Sequence, residues 1–204
     1  MGICYIIGAG DVISDCTAAR DEDYIICADG GYEYRDMLGR AADMVVGDFD
    51  SLGRIPDEEN RMVLPCEKDD TDMAAAVEEG LKRGYRNFVL FGALGGDRVD
   101  HSIGNIQLLK YIASKGARGE IRHGKNVLVA FKDSEITFDS DKKGYVSVFS
   151  LCDESKGVTI EGLKYETNGI TMYSHLTRGL SNEFLGKRSR ISVSDGILLI
   201  AYTV

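Results

Sequence analysis

Short apolar runs alternate with helical patterns along the chain up to about residue 117. The runs are nearly continuous, as is typical of parallel strands that are buried on both faces. They lie at residues 3–7, 24–28, 44–46, 62–64 and 88–91, and the helical patterns lie at 31–38, 71–82 and 101–114. This alternation predicts an open α/β sheet, in which ligands bind beyond the carboxyl ends of the strands.

The helical period is lost after residue 117, where polar clusters separate short apolar runs. We expect strands at residues 126–131, 135–138, 145–151, 158–160, 190–193 and 197–202. Between the last two, Ser194-Asp195-Gly196 predicts a tight hairpin, because Asp-Gly accommodates positive φ. The pattern therefore predicts an α/β domain with a mainly parallel open sheet at 1–117, and an all-β sandwich or barrel at 118–204.

The amino-acid composition and net charge of the chain argue against several classes of partner and cellular location. The chain has 24 Lys and Arg residues against 33 Asp and Glu, which gives a net charge of −9 and argues against a nucleic-acid partner. Its five cysteines are scattered without zinc-site spacing, which indicates a reducing compartment. No apolar run approaches the ~20 residues that span a bilayer, and no secretory pattern opens the sequence. We therefore expect a cytoplasmic protein without a membrane partner.

Four segments rich in aspartate and glycine follow predicted strands. They are ADGG at 28–31, GDFDS at 47–51, KDDTD at 68–72 and GALGGDRVDH at 92–101. Since the carboxyl ends of parallel strands meet at one edge of a sheet, up to eight carboxylates converge there. Carboxylates at close range repel one another unless a cation neutralises them.

The chemistry of this rim indicates its ligands. Oxygen donors favour a hard cation, Mg²⁺ before Ca²⁺. The glycines let backbone N–H groups approach phosphate oxygens, and two helix N-termini add partial positive charge. Arg98 and Lys68 supply fixed positive charge for the same anion. The rim therefore predicts a site for Mg²⁺ and a nucleoside polyphosphate.

Each segment alone also has a plainer explanation. An aspartate before a helix is usually a cap, and a Gly-Gly pair is usually a turn. Gly8-Ala9-Gly10 resembles a dinucleotide fingerprint, but Ile13 stands where the third glycine is required. Asp48-x-Asp50 alone resembles haloacid-dehalogenase-type phosphatases, whose nucleophile is the first aspartate after a strand. The coincidence at four strand exits favours a functional site.

Taken in order, these motifs resemble those of the thiamine pyrophosphokinases, together with SIGN at 102–105, GLKY at 162–165 and GLSNE at 179–183. The resemblance implies an α/β domain at 1–117 that binds nucleotide and metal, and a β-sandwich thiamine-binding domain at 118–204. It also implies a homodimer with active sites at the subunit interface. The implied reaction transfers the terminal pyrophosphate of ATP to the hydroxyl of thiamine with Mg²⁺ as cofactor, giving thiamine diphosphate and AMP.

The resemblance also assigns residues by position. It places the metal and the diphosphate on four aspartates, with Arg98 as a further catalytic residue: Asp48, Asp50, Asp72 and Asp100. It assigns the nucleotide and phosphate pocket to Asp29, Gly30, Gly31, Ser51, Lys68, Asp69, Arg98, His101 and Asn105. Ser181 and Asn182 would hold the thiamine pyrimidine, from the partner subunit. Since the chain has no Trp, the thiazolium ring needs another aromatic neighbour, for which Phe184 is a candidate.

The expected mechanism needs little covalent chemistry from the protein. Mg²⁺ and Arg98 would neutralise charge on the transferring group, while the fold aligns the thiamine hydroxyl for in-line attack. The proton acceptor is left open between Asp100 and His101. Two alternatives also stay open: a metal-dependent phosphatase with Asp48 as nucleophile, and a non-catalytic sensor that binds thiamine or nucleotide without turnover.

Overall fold

A computed structural model of the protein describes residues 2–11, 18–50, 52–67 and 69–204. Two compact units can be distinguished: the first extends to Leu108 and includes Glu120–Gly124, and the second comprises Leu109–Gly119 and Lys125–Val204. The division therefore differs from a single boundary after residue 117. The reason is that strand β6 (Arg118–His123) lies beside β5 (Asn87–Phe91), a strand of the first unit.

The first unit is built on a largely parallel sheet. Its other strands are β1 (Cys4–Ile7), β2 (Tyr24–Ala28), β3 (Met44–Gly47) and β4 (Arg61–Val63), in the order β4-β3-β2-β1-β5-β6. The pairs β1–β2, β1–β5, β2–β3 and β3–β4 are parallel. Ile6 pairs with Ile26 on one side and Leu90 on the other, and all three side chains are fully buried. The continuous apolar runs thus correctly predict parallel strands.

Two predicted α-helices are confirmed: α1 (Asp72–Lys82) and α2 (Val99–Ser114). Thr71 caps α1, since its hydroxyl accepts a hydrogen bond from the Ala74 N–H at 3.2 Å. Gly80 lets α1 lie close to the sheet, because a Cβ there would stand 2.8 Å from the Cys4 sulfur. No helix in the described part of the chain has the length and apolarity needed to cross a membrane.

The α-helix predicted at residues 31–38 is wrong. The chain forms a 3₁₀ helix at Asp29–Tyr34 instead. Gly30 and Gly31 lower the helix propensity of this segment. In addition, a Cβ on Gly31 would lie 2.0 Å from the Ile7 carbonyl oxygen, so close packing against the end of β1 determines the backbone path here.

The second unit contains two sets of four antiparallel strands, which belong to different sheets and are ordered β12-β9-β14-β7 and β11-β10-β13-β8. The strands are β7 (Asn126–Lys132), β8 (Glu135–Phe138), β9 (Tyr145–Ser150), β10 (Glu154–Glu161), β11 (Thr167–Tyr173), β12 (Asn182–Glu183), β13 (Ser189–Ser192) and β14 (Ile197–Thr203). Val148 and Ile200 of one sheet share a buried core with Val158 and Ile191 of the other. Two sheets that face one core form a sandwich rather than a barrel.

The tight hairpin predicted at Ser194-Asp195-Gly196 is wrong, because β13 and β14 belong to different sheets. The segment crosses from one sheet to the other. Its backbone pairs with Lys156, whose N–H donates to the Asp195 carbonyl at 2.7 Å. Gly196 has φ 131° and donates its N–H to Asp133 Oδ1 at 2.8 Å. The glycine therefore serves a crossover between sheets, which a local turn signal does not distinguish from a hairpin.

The cysteines show that two of the apolar runs are core strands. Cys4 and Cys27 are fully buried, and burial raises the pKa of both thiols, that of Cys27 to about 12. Cys66 is exposed. Cys16 lies outside the described residues. The prediction that Cys4 and Cys27 are small core residues is confirmed.

Candidate active site

Three carboxylates converge where β2 and β3 end. Asp29 directly follows β2, while Asp48 and Asp50 follow β3. One carboxylate oxygen from each lies within 4.8 Å of the others. We call Asp29, Asp48 and Asp50 the carboxylate trio. Asp29 and Asp48 are half-buried and Asp50 is exposed, so the trio opens to solvent on one side.

The backbone around the trio is constrained. Asp29 has φ 46° and Phe49 has φ 58°, a left-handed conformation that costs about 1–2 kcal/mol for residues other than glycine. Phe49 is buried in the core of the first unit, which fixes the loop between its two acidic neighbours. A Cβ on Gly47 would lie 3.0 Å from the Asp29 Cα, so glycine lets the two strand ends approach. Strained backbone of this kind is typical of functional sites.

The donor set of the trio fits a hard divalent cation. Carboxylates this close repel one another, and a cation between them reverses the sign of the interaction. Oxygen-only ligands favour Mg²⁺, which typically uses one or two carboxylates and leaves other positions for water and phosphate oxygens. The Asp50 N–H donates to Asp48 Oδ1 at 3.3 Å, which helps to hold the Asp48 carboxylate in place. The geometry can thus bring a metal ion to the edge of the sheet.

Asp72 and Asp100 are not members of the trio. Among the described residues, neither belongs to a carboxylate group of this spacing. Asp72 occupies the first turn of α1, and Asp69, from the same motif, is exposed. Ser51 and Lys68, two residues of the predicted phosphate pocket, lie outside the described residues. The metal role of Asp72 and Asp100 therefore stays a prediction.

Arg98 and Asp100 form an exposed ion pair at the start of α2. Arg98 Nη2 lies 2.7 Å from Asp100 Oδ2, and Arg98 Nε lies 3.0 Å from Asp100 Oδ1. The hydrogen bonds from Arg98 lower the pKa of Asp100 to about 2. His101 is exposed beside this pair, and its N–H donates to the Arg98 carbonyl. The cation predicted to bind phosphate and the carboxylate predicted to bind metal thus neutralise each other in this structure.

The ion pair predicts a measurable titration. Arg98 favours the charged form of Asp100, so replacing Arg98 with methionine should raise the pKa of Asp100 from about 2 towards the ordinary 3.8. Carboxyl ¹³C chemical shifts recorded from pH 2 to 6 measure this directly. An Asp100 midpoint that is the same in both proteins would show that the pair does not form in solution.

The glycines after β1 and β5 have a structural role that the sequence did not reveal. The Gly8 and Gly10 N–H groups donate to the Phe91 and Gly92 carbonyls, each at 2.9 Å. A Cβ on Gly10 would lie 2.6 Å from the Gly92 oxygen. Close contact between two loops therefore explains Gly8 and Gly10, and the partial dinucleotide fingerprint has no support.

Asn105 stabilises the loop after β5. Its side chain is buried, and Nδ2 donates to the Ala93 carbonyl at 2.8 Å. Gly95 and Gly96, with φ of 83° and 70°, continue this loop towards Arg98. Asn105 thus holds the loop in place from α2. Its predicted contact with the nucleotide stays a prediction.

In the second unit, Ser181 and Asn182 differ in what they can offer a ligand. Asn182 is buried, its Oδ1 accepts from the Tyr165 and Glu183 N–H groups at 2.9 Å each, and its Nδ2 donates to the Tyr165 carbonyl at 2.8 Å. These bonds join β12 to the GLKY segment and occupy most of the amide's capacity. Ser181 is exposed, with φ 58°, and its N–H donates to the Ser147 hydroxyl. Ser181 is therefore the better placed of the two to meet a ligand.

Phe184 is not an available stacking partner. It is buried in the core of the sandwich, with its ring centroid 5.1 Å from that of Phe138 in an edge-to-face arrangement. The suggestion that it contacts the thiazolium ring is wrong.

Sequence reasoning missed two features near the trio. Asp29 was placed in the nucleotide pocket, although it follows a strand in the same way as Asp48 and shares the cluster with it. Arg35 and Arg54 line a cavity formed by the segments that carry the trio. Arg35 was hidden by the wrong helix prediction, and Arg54 lies just beyond the acidic motif.

Comparison with known proteins agrees with this architecture. Residues 17–120 match the family "Thiamin pyrophosphokinase, catalytic domain" and residues 133–198 match "Thiamin pyrophosphokinase, vitamin B1 binding domain". The thiamine pyrophosphokinase of Bacillus subtilis is 29% identical over 204 residues, covering 95% of this chain and 94% of that protein.

Solved structures show the same fold. A crystal structure of the Bacillus subtilis enzyme superimposes with a TM-score of 0.83 at 24% identity, covering 99% of each chain. The thiamin pyrophosphokinase of Geobacillus thermodenitrificans gives 0.78 at 28% identity, covering 99% of this chain and 97% of that one. The two family matches together span well over half of the sequence. The chain belongs to the thiamin pyrophosphokinase family.

Proposed function

We propose that the protein transfers the pyrophosphoryl group of ATP to the hydroxyl of thiamine, forming thiamine diphosphate and AMP. The observation that carries this proposal is the carboxylate trio at the ends of β2 and β3, within a chain whose two units match the catalytic and vitamin B1 binding domains of the family. A metal site beside glycine-lined loops suits a polyphosphate, and the second unit supplies a place for the acceptor.

Asp29, Asp48 and Asp50 would hold Mg²⁺. When bound, the ion would neutralise charge on the transferring phosphates. The left-handed backbone at Asp29 and Phe49 fixes the carboxylates before substrate arrives, so that little reorganisation is needed during the reaction. Asp72 and Asp100 are proposed as further ligands on the strength of the family motifs.

Arg98 would bind the transferring phosphates once it leaves Asp100. Arg98 attracts the phosphates and Asp100 attracts the metal ion. A metal-bound polyphosphate can therefore replace the ion pair between Arg98 and Asp100 with one contact to each residue. This exchange keeps both charges compensated before and after binding. Asp100 or His101 would then accept the proton of the attacking hydroxyl.

Thiamine would bind beside Ser181 in the second unit. The ring of thiamine is permanently cationic, which suits a protein with a net charge of −9. Asn182 would act by holding the Tyr165 backbone rather than by direct contact. We further propose a cytoplasmic homodimer in which Ser181 serves the partner's active site.

The phosphatase and sensor alternatives have weaker support. A phosphatase would use Asp48 as a nucleophile, but the two domain matches are to a pyrophosphokinase catalytic domain and a vitamin B1 binding domain, which favour transfer to thiamine over hydrolysis. A sensor would not require an array of charged groups suited to turnover. The family matches include the catalytic domain, which favours an enzyme.

Product analysis tests the proposal. Purified protein is incubated with ATP, Mg²⁺ and thiamine, and the quenched reaction is separated by chromatography. We expect AMP and thiamine diphosphate in equal amounts, no thiamine monophosphate, and no consumption of ATP when thiamine is omitted. ADP with thiamine monophosphate would mean an ordinary kinase. ADP with inorganic phosphate, independent of thiamine, would mean hydrolysis. Thiamine binding without product would mean a sensor.

A further inference from the structure

A cavity of about 380 Å³ is formed by the two segments that follow Asp29 and Asp50 in the chain. It is lined by Tyr32, Glu33, Arg35, Leu52 and Arg54. The first three follow Asp29 in the chain, and the last two follow Asp50. The two segments that supply the trio therefore also supply the walls of this cavity. No residue of the cavity was selected by the sequence motifs.

One arginine of the cavity is held in a defined position. The Arg35 guanidinium lies over the Tyr32 ring, 4.6 Å from the ring centroid, and its Nη1 lies 3.4 Å from the Tyr32 carbonyl oxygen. The ring is itself fixed, because the Tyr32 hydroxyl donates to Glu58 Oε1 at 2.7 Å and the side chain is buried. A guanidinium stacked on an aromatic face keeps its N–H donors directed outward along its edges. Arg35 is thus ordered before any ligand arrives.

The charge of the cavity favours an anion. Arg35 and Arg54 contribute two positive charges against the single carboxylate of Glu33 among the five lining residues. The neighbouring Asp36 approaches Arg35 Nε only to 3.8 Å, which is too long for a strong hydrogen bond. Guanidinium groups match the geometry of phosphate oxygens.

We propose that Arg35 and Arg54 bind the phosphate group that remains on the leaving nucleotide. This inference rests on the proposed pyrophosphoryl transfer. The metal at the trio would take oxygens of the two transferred phosphates, which leaves the phosphate next to the nucleoside for a cationic cavity alongside. Thiamine is excluded from this cavity, because its cationic ring is repelled by the two arginines. The arginines also stabilise negative charge on AMP as the bond to the transferred group breaks.

Binding of AMP and adenosine to variants tests this role. Calorimetry in Mg²⁺ buffer compares the wild type with Arg54→Met, Arg35→Met and the control Arg86→Met, which removes an exposed arginine that donates to the Leu81 and Tyr85 carbonyls. Loss of a charge-assisted hydrogen bond should weaken AMP binding by roughly 10–100-fold in each cavity variant and leave adenosine binding unchanged. The control should bind both ligands as the wild type does. The AMP affinity of Arg54→Lys should lie between those of the wild type and Arg54→Met, because lysine keeps the positive charge but lacks the paired N–H donors of the guanidinium.

Several results would overturn the proposal. Unchanged AMP binding in both cavity variants would remove the arginines from the phosphate, and so would an equal loss of AMP and adenosine binding. If the cavity variants bind thiamine diphosphate more weakly but bind AMP normally, the two arginines would instead contact thiamine diphosphate. Turnover of the wild type is measured on the same preparation. If the wild type is active and any of these results is found, or if it is active but does not bind AMP, only the role of the two arginines is contradicted. If the wild type neither binds AMP nor forms thiamine diphosphate, the proposed function is contradicted as well.

Discussion

Replacing Asp48 with asparagine should lower kcat by roughly 10²–10³-fold, the scale for losing one electrostatic stabiliser of the transition state. Asparagine keeps the volume of the side chain and an oxygen that can still accept the Asp50 N–H. The change therefore removes one charge from the carboxylate trio with little effect on the loop. Steady-state turnover at saturating ATP and thiamine measures the loss, and more Mg²⁺ should be needed for half-maximal rate.

Stability provides a second measurement on the same variant. Without metal, the free energy of unfolding of Asp48→Asn should be equal to or higher than that of the wild type, because a repulsion between like charges is removed. Asp57→Asn is the matched control, since Asp57 is an exposed carboxylate of the same unit that pairs with Arg61. Full activity of Asp48→Asn would show that the trio is not the metal site. A comparable loss in Asp72→Asn would add Asp72 to the ligands.

Gly92→Ala should destabilise the protein by about 2–5 kcal/mol. Gly92 has φ 60°, which costs an alanine about 1–2 kcal/mol. The added Cβ would also lie 2.3 Å from the Gly8 carbonyl oxygen and 3.2 Å from that of Gly10. These are backbone atoms fixed by hydrogen bonds between the loops, so the contact is relieved only by moving one loop, and overpacking of this kind costs about 1–3 kcal/mol.

Gly53→Ala separates the two contributions to that loss. Gly53 has φ 63°, and no atom of the described residues lies within 4 Å of the position its Cβ would take. Gly53→Ala should therefore lower the free energy of unfolding only by the cost of a left-handed backbone at alanine, about 1–2 kcal/mol. Urea denaturation of the three proteins gives the comparison. Equal destabilisation by the two substitutions would contradict the close approach of the loops after β1 and β5.

The parallel strands β1, β2, β3 and β5 could be predicted because each contains an apolar run, and burial on both faces produces that run directly. Strand β4 is the exception, since Arg61 and Val63 are exposed. The 3₁₀ helix at Asp29–Tyr34 could not be predicted, since its path depends on the contact of Gly31 with Ile7, more than twenty positions earlier in the sequence. The hairpin predicted at Asp195-Gly196 is wrong for the same reason. Asp195 pairs with Lys156, which is remote in the chain, and a turn dipeptide does not indicate which distant strand it will contact.

The candidate site was predictable to a similar extent. Motifs after strands correctly located Asp48 and Asp50 at the same sheet edge as Asp29. The hydrogen bonds of Asn182 could not be predicted, because they go to the Tyr165 backbone, which is 17 positions away. A polar residue in a family motif can serve the ligand or the fold, and only its hydrogen-bond partners tell the two apart.

The separation of β13 and β14 into different sheets has a consequence for the order of folding. Leu199 of β14 pairs with Ala130 of β7 on one side and with Phe149 of β9 on the other, so this strand is central to its sheet. Because β14 cannot form by closing a local hairpin, the sandwich must wait for long-range pairing, which is intrinsically slow. During synthesis, β7 and β9 are made before β14, their shared partner, so each keeps one strand edge unpaired until β14 has been made. For that interval the unpaired edges of β7 and β9 are open to pairing with another chain, which favours aggregation.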